Sequence, residues 1–94
     1  MQACHAHIQT HKPERLMTRL CKHWGHKFEV SLTEHDGEIA LPMGSCRLHC
    51  AGEGLDVELQ GESDTMARFQ QVVADHLQRM AGADQLIINW ECRV

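Results

Sequence analysis

The 94-residue sequence contains no tyrosine, and its aromatic residues are only two tryptophans and two phenylalanines. Its formal net charge is -4 when the histidines are neutral, and no basic stripe stands out along it. Proteins that bind nucleic acids usually present a basic surface, often with aromatic side chains on which bases stack. The composition therefore predicts no nucleic-acid partner.

Long apolar runs and a secretory leader are also missing from the sequence. No stretch approaches the roughly 20 apolar residues of a transmembrane helix, and residues 1–10 lack a charged region followed by an apolar one. The five cysteines are odd in number and include no CxxC pair. We therefore predict a cytoplasmic protein with reduced thiols and no membrane contact.

The overall composition is that of a globular protein, with 43% hydrophobic and 23% charged residues. No low-complexity stretch or linker divides the sequence, and its length suits one domain. We predict a single domain over residues 1–94.

Two segments have the apolar spacing of amphipathic helices. The first covers 13–24, where Pro13 suits the opening turn and Gly25 is expected to end the helix in the left-handed conformation. The second covers 64–80, with Ser63 as the expected cap and Gly82 after its end. The apolar stripes consist of Leu16, Met17, Leu20, Cys21 and Trp24 in the first helix, and Met66, Phe69, Val73, Leu77 and Met80 in the second.

Other segments alternate apolar and polar residues, as half-buried strands do. They lie near 3–9, 27–33, 39–41, 46–50, 55–59 and 85–92, and Asp36-Gly37 is a hairpin signal between the second and third. The order β-α-β-β-β-β-α-β predicts an α+β fold. We expect a mainly antiparallel sheet of about six strands, with two helices packed on one face and the other face open.

Three segments carry a resemblance: LCKHWGHKFEV at 20–30, VVADHLQRMA at 72–81, and the closing IxW at 88–90. They resemble, over nearly the full length, a family of small bacterial proteins catalogued as domain of unknown function 2218. The matching positions are Cys21, His23, Trp24, His26, His76, Leu77 and Trp90. The resemblance implies a small α+β protein with no assigned activity. Similar domains occur beside siderophore-interacting flavoproteins, which implies a role near iron handling.

The histidines are the best candidates for chemistry, and the sequence has eight of them. His76 lies within the second apolar stripe, where it either bonds to a neighbouring carbonyl or carboxylate, or binds a ligand. His23 lies at the edge of the first stripe, and His26 follows the end of that helix. If the helices lie side by side, these three imidazoles, or two of them with the Cys21 thiolate, suit zinc, copper or iron. His23, His26 and His76 are therefore the candidate metal ligands.

The tryptophans extend this candidate site. Trp24 and Trp90 either fill the core or line a small apolar pocket beside the histidines. The candidate ligand-binding residues are His23, His26, His76, Cys21, Trp24 and Trp90. The sequence identifies no particular cofactor.

Three functions remain open on these residues. The first is a noncatalytic accessory module that binds a small molecule or metal, with the link to iron and siderophores resting on the resemblance. The second is a small enzyme with His23 or His76 as general base, assisted by Cys21. The third is an interaction domain or homodimer that uses the open sheet face, which His5 and His7 share and which His49 joins if its strand is adjacent.

Overall fold

A computed structural model describes residues 1–93 of the chain. Its elements are β1 (Gln2–Gln9), α1 (Pro13–Trp24), β2 (Glu29–Leu32), β3 (Asp36–Leu41), β4 (Gly44–Ala51), β5 (Gly54–Gly61), α2 (Met66–Ala81) and β6 (Glu91–Arg93). The α+β prediction and the order of elements are confirmed. Within the described residues, no helix combines the length and apolarity needed to cross a membrane.

The six strands form one antiparallel sheet with the order β2-β3-β4-β5-β1-β6. The four middle strands of the chain follow one another as neighbours, joined by short turns. The first strand lies between β5 and the last strand, so the two ends of the chain meet at one edge of the sheet.

The helices cover one face of this sheet and bury its apolar side. Phe69 of α2 and Met17 and Leu20 of α1 pack fully buried in a core that includes Leu48 and Val57 from the sheet. Burying side chains of this size contributes about 1.5–3 kcal/mol each. The outward-facing residues of the same strands form the opposite, polar face, which we call the open face.

The β2–β3 hairpin turns earlier than the Asp36-Gly37 signal predicts. The Thr33 N–H donates to the Asp36 carbonyl over 2.8 Å, and Gly37 is already paired with Leu32 in the ladder. A Cβ atom on Gly37 would lie 2.9 Å from Cys21 Sγ. Gly37 therefore does not form the turn. Its missing side chain allows α1 to approach the sheet closely.

The helix ends agree only in part with the prediction. Gly25 has a φ of -63°, so the expectation of a left-handed residue there is wrong, whereas Gly82 has a φ of 66°. Ser63 makes no capping hydrogen bond and lies in a 3-10 turn, Ser63–Thr65, that precedes α2. The second helix consequently begins two residues later than predicted.

The predicted strand over 85–92 is wrong for most of its length. Residues 85–90 join no strand ladder in the described structure, and only Glu91–Arg93 pairs with β1. The Gln78 side chain binds the start of this segment: its Nε2 donates to the Asp84 carbonyl over 2.7 Å, and its Oε1 accepts the Leu86 N–H over 3.0 Å. A side-chain amide thus supplies partners that a neighbouring strand would otherwise provide.

The expectation of fully reduced thiols is also wrong. Cys4 and Cys92 form a disulfide across 88 positions of sequence, because they lie directly opposite each other on β1 and β6. Cys21, Cys46 and Cys50 remain free thiols. The odd number of cysteines therefore reflects one bridge and three thiols.

Candidate functional site

The rings of His23, Trp24 and His76 meet where the two helices pack against each other, and we call them the seam cluster. The ring centroids of Trp24 and His76 lie 4.7 Å apart, and those of His23 and His76 lie 5.4 Å apart. Trp24 is buried, His76 is half-buried and His23 is exposed. The helices therefore bring together the two histidines that their spacing placed at the seam.

Helical spacing explains why each ring points to the seam. Trp24 follows the buried Leu20 by four residues and His23 follows it by three, so both rings lie on adjoining parts of one face of α1. His76 follows the buried Val73 by three residues in α2. The seam cluster thus joins the end of the first apolar stripe, at Trp24, to a histidine beside each stripe.

The His76 ring has a defined orientation. Its Nδ1 lies 2.8 Å from the Val72 carbonyl oxygen, one turn earlier in α2. A carbonyl only accepts hydrogen bonds, so Nδ1 carries the hydrogen, and in the neutral ring Nε2 keeps a lone pair. His76 makes the carbonyl contact expected of a core histidine and still retains one nitrogen that can bind a ligand.

The structure does not add His26 to this cluster as a third metal ligand. His26 is exposed in the turn that follows α1. Across residues 1–93, no three His, Cys, Asp or Glu side chains are grouped so that they could hold a metal ion. The seam cluster by itself therefore offers two imidazoles.

Trp90 lies apart from the other indole. It is half-buried and lines a groove of about 400 Å³ together with Ile88 and the α2 residues Gln71 and Asp75. Neither this groove nor three other surface cavities, of about 310, 450 and 810 Å³, is lined by His23, Trp24 or His76. None of the four is therefore the small apolar pocket that was expected beside the histidines.

The free thiols are poorly suited to chemistry at neutral pH. Cys21 lies on the buried side of α1, and this burial raises its pKa. Burial also raises the pKa of Cys46, and it raises that of Cys50 to about 11, with smaller contributions from the charges of Glu14 and Asp36. Since the thiolate is the nucleophile and metal ligand, these cysteines stay in the unreactive form.

A second group of histidines lies on the open face, as alternation along the strands predicted. His7 Nδ1 lies 2.6 Å from Asp56 Oδ1, and His49 Nδ1 lies 2.7 Å from Asp36 Oδ1. His5 Nε2 lies 3.6 Å from the same oxygen of Asp56. Each of these side chains is about one third to two thirds exposed.

The strand register arranges the charges of the open face in two rows. Each row takes one residue from each of β3, β4, β5 and β1, in that order, and neighbouring residues of a row are paired in the ladder. The first row is Asp36, His49, Asp56 and His7, and the second row is Glu38, Arg47, Glu58 and His5. Acidic and basic side chains alternate along both rows. A cavity of about 310 Å³ lies over them.

A family model described as "Uncharacterized protein conserved in bacteria (DUF2218)" matches residues 5–91. The chain belongs to this family. The match contains the whole seam cluster and all eight residues of the two open-face rows.

A solved structure supports the fold of this DUF2218 protein. The NMR structure of PA4090 from Pseudomonas aeruginosa superposes with a TM-score of 0.79 at 42% sequence identity, covering 97% of this chain and 96% of that chain. A search of curated proteins gives no match. Function must therefore be argued from the residues of this chain.

Sequence reasoning missed the carboxylates of the open face. Asp36 was noted only as part of the Asp36-Gly37 hairpin signal, Asp56 belongs to no motif, and the two are 20 positions apart in the sequence. Alternation along the strands could have placed these carboxylates on the open face. Which histidines they contact depends on the order of strands in the sheet. That order places β1 beside β5 and therefore His7 beside Asp56.

Proposed function

We propose that this DUF2218 protein is a noncatalytic binding module whose ligand docks on the seam cluster. The observation that carries the proposal is the fixed ring of His76: its Nδ1 is occupied by the Val72 carbonyl, which leaves Nε2 free beside the exposed His23. A hydrogen bond from the other ring nitrogen to a carbonyl commonly orients the imidazoles that ligate metals.

The ligand class follows from the number of donors. Two imidazoles supply two nitrogens, whereas zinc takes about four ligands. The metal must therefore arrive with its other coordinating atoms already bound, as in a hydrated transition-metal ion or a metal chelate. Trp24 is buried behind His76, with its ring centroid 4.7 Å from that of His76, so its fluorescence can report a ligand that binds there.

A ferric chelate is the form of this ligand that the family resemblance favours. Imidazole is a suitable ligand for iron as well as for zinc and copper. The connection to iron and siderophore metabolism rests on the resemblance alone, and the two-histidine geometry rests on the structure.

The cytoplasmic location stays a prediction. Disulfides persist mainly in oxidising compartments, and the Cys4–Cys92 bridge suits such a compartment better than the cytoplasm. The seam cluster does not depend on this question, because the bridge lies at the sheet edge formed by β1 and β6.

The test is a titration of untagged protein with zinc, with copper and with a ferric hydroxamate chelate. The NMR signals of the imidazole nitrogens are monitored during each titration. At least one probe should shift the His23 and His76 signals together and quench tryptophan fluorescence. His23→Ala and His76→Gln should each weaken binding by at least about tenfold. The matched control is His26→Ala, an exposed histidine outside the cluster, which should bind normally.

Two results would contradict the proposal. One is that none of the three probes perturbs either histidine. The other is that binding persists unchanged in the double variant His23→Ala/His76→Gln, because the probe would then be held elsewhere on the protein.

A further inference from the structure

We propose that the open face binds a second copy of this chain, face to face, about a two-fold axis that runs parallel to the strands between β4 and β5. This inference does not depend on the seam cluster, which lies on the helix side of the sheet. It rests on the order of charges along the two open-face rows.

The charges that would form the contact are accessible. Arg47, Glu38 and His49 expose 60%, 54% and 55% of their side chains, and His7 exposes 51%. They stand on the face that no helix covers within residues 1–93. A partner can therefore reach them without any change in the fold.

The proposed axis pairs every acidic residue of the rows with a basic residue. It places β4 of one copy over β5 of the other and β3 of one copy over β1 of the other. Each row then lies over the same row of the second copy. In the first row, Asp36 meets the partner's His7, and His49 meets the partner's Asp56. The two copies are therefore complementary along the whole row.

The second row follows the same rule. Glu38 meets the partner's His5, and Arg47 meets the partner's Glu58, because these residues occupy β3, β1, β4 and β5 in the same order. An axis across the strands would instead place Asp36 against Glu38, like charge against like. Of these two axes, the charge order therefore favours the one parallel to the strands.

A third row extends the agreement to the edges of the sheet. Glu29 on β2 and Arg93 on β6 lie in the same row, linked through Ala40 and Ala3. The axis that exchanges the two edges brings Glu29 opposite the partner's Arg93. It also brings Ala40 opposite the partner's Ala3, so no charge is left against an apolar group there.

The geometry of stacked sheets ranks these contacts. Sheets packed face to face cross at about 30° because each is twisted, so register is kept best next to the axis. The strongest contacts should therefore be those on the two central strands, between Arg47 and Glu58 and between His49 and Asp56 of opposite copies. Exposed ion pairs contribute little individually, so we expect a weak dimer that salt dissociates.

Protonation of the histidines controls the balance of charge. The two rows contain four carboxylates, one guanidinium and three imidazoles. When the imidazoles are neutral, the four carboxylates outweigh the one guanidinium, so the faces are acidic and repel each other. When all three imidazoles are protonated, which acidification favours, the four positive charges of each copy's rows face the four carboxylates of the other copy's rows, and association is favoured. Glu91, which continues the second row beside His5, faces the uncharged Ser31 of the other copy.

Each of these imidazoles also has carboxylate neighbours within its own chain. His5 lies opposite Glu58 and Glu91, and near Asp56. The other two follow the same pattern, because His7 lies opposite Asp56 and His49 lies opposite both Asp36 and Asp56. Once protonated, the histidines are therefore held by charges within the chain in the alternating order that the dimer needs.

The test is sedimentation of the full chain over a range of concentrations, at about pH 5.5 and about pH 8 and at low and high salt. We expect a dimer at the lower pH in low salt and a monomer in the other conditions. Arg47→Glu and Glu58→Arg should each weaken the dimer by at least about tenfold. The double variant Arg47→Glu/Glu58→Arg should recover association, because the exchanged charges again meet across the axis.

The matched control is Arg79→Glu, a charge reversal at an exposed position of α2 on the helix side, which should leave association unchanged. The amide NMR spectrum of each variant checks that it is folded. A chain that stays monomeric at about pH 5.5 up to millimolar concentration overturns the proposal. A dimer that strengthens at high pH, or one that the double variant fails to restore, overturns it as well.

Discussion

Histidines lie on both sides of the sheet, and their surroundings differ. On the helix side, His76 is held by a backbone carbonyl at 2.8 Å and packs against Trp24. On the open face, His7 and His49 are held by carboxylates at 2.6 and 2.7 Å and remain about half exposed. A carbonyl fixes the orientation of a ring, whereas a carboxylate also attracts its positive charge when the ring is protonated. The helix side therefore suits ligation by a neutral ring, and the open face suits a response to pH.

The two sides also differ in what they contribute to stability. The helix side contains the buried hydrophobic residues, including the fully buried Phe69. The ion pairs of the open face are solvated, and such pairs contribute from nothing up to about 1 kcal/mol. Changes on the helix side should therefore affect folding strongly, and changes on the open face only weakly.

The largest effect is expected from Phe69→Ala. Removing a fully buried phenylalanine ring leaves a cavity under α2 and should lower the free energy of unfolding by about 3–5 kcal/mol. Urea denaturation measures it. The control is Ile87→Ala, because Ile87 is 72% exposed and should change stability by less than about 0.5 kcal/mol. Equal losses at the two positions would mean that the helix side is not the source of stability.

A smaller effect is expected from opening the bridge at the edge shared by both sides. Cys92→Ser removes a cross-link that spans 88 positions, and should lower the free energy of unfolding by about 2–4 kcal/mol. Urea denaturation with and without a thiol reductant measures this loss. Reductant should destabilise the parent protein by a similar amount and leave the variant unaffected. A parent protein indifferent to reductant would show that the bridge is absent in solution.

The parts of the fold predicted from sequence are those fixed by local signals. The first helix was predicted at its observed bounds because Pro13 opens it and its apolar residues repeat with helical spacing. The strands β4 and β5 were predicted because their residues alternate, with Val57 and Leu59 fully buried. Neither inference needed information from distant parts of the chain.

The errors arose where a distant contact decides the local structure. The segment 85–90 alternates like a strand, but at its start the Gln78 side chain binds the Asp84 carbonyl and the Leu86 N–H. The Cys4–Cys92 bridge depends on β6 lying beside β1, which no spacing in the sequence reveals.

The candidate site follows the same division. His23 and His76 meet because two amphipathic helices on one sheet face must pack side by side. His26 was grouped with them only because it is close to His23 in sequence, and a position in an exposed turn does not fix where a side chain points. The acidic partners on the open face required the strand order, which the sequence left undetermined.

The smallest effect is expected from Asp36→Asn on the open face. Asp36 lies 2.7 Å from an imidazole nitrogen of His49, with both side chains more than half exposed. At about pH 8 and at a concentration too low for association, the substitution should lower the free energy of unfolding by no more than about 1 kcal/mol.

Urea denaturation measures this loss, and Asp75→Asn provides the control. Asp75 is an exposed carboxylate of α2 that accepts a hydrogen bond from Gln71 over 2.8 Å, so its substitution should cause a similarly small loss. If Asp36→Asn were as damaging as Phe69→Ala, the open face would be part of the stabilising structure. The alternating charges there would then be explained by folding, and they would no longer argue for a partner.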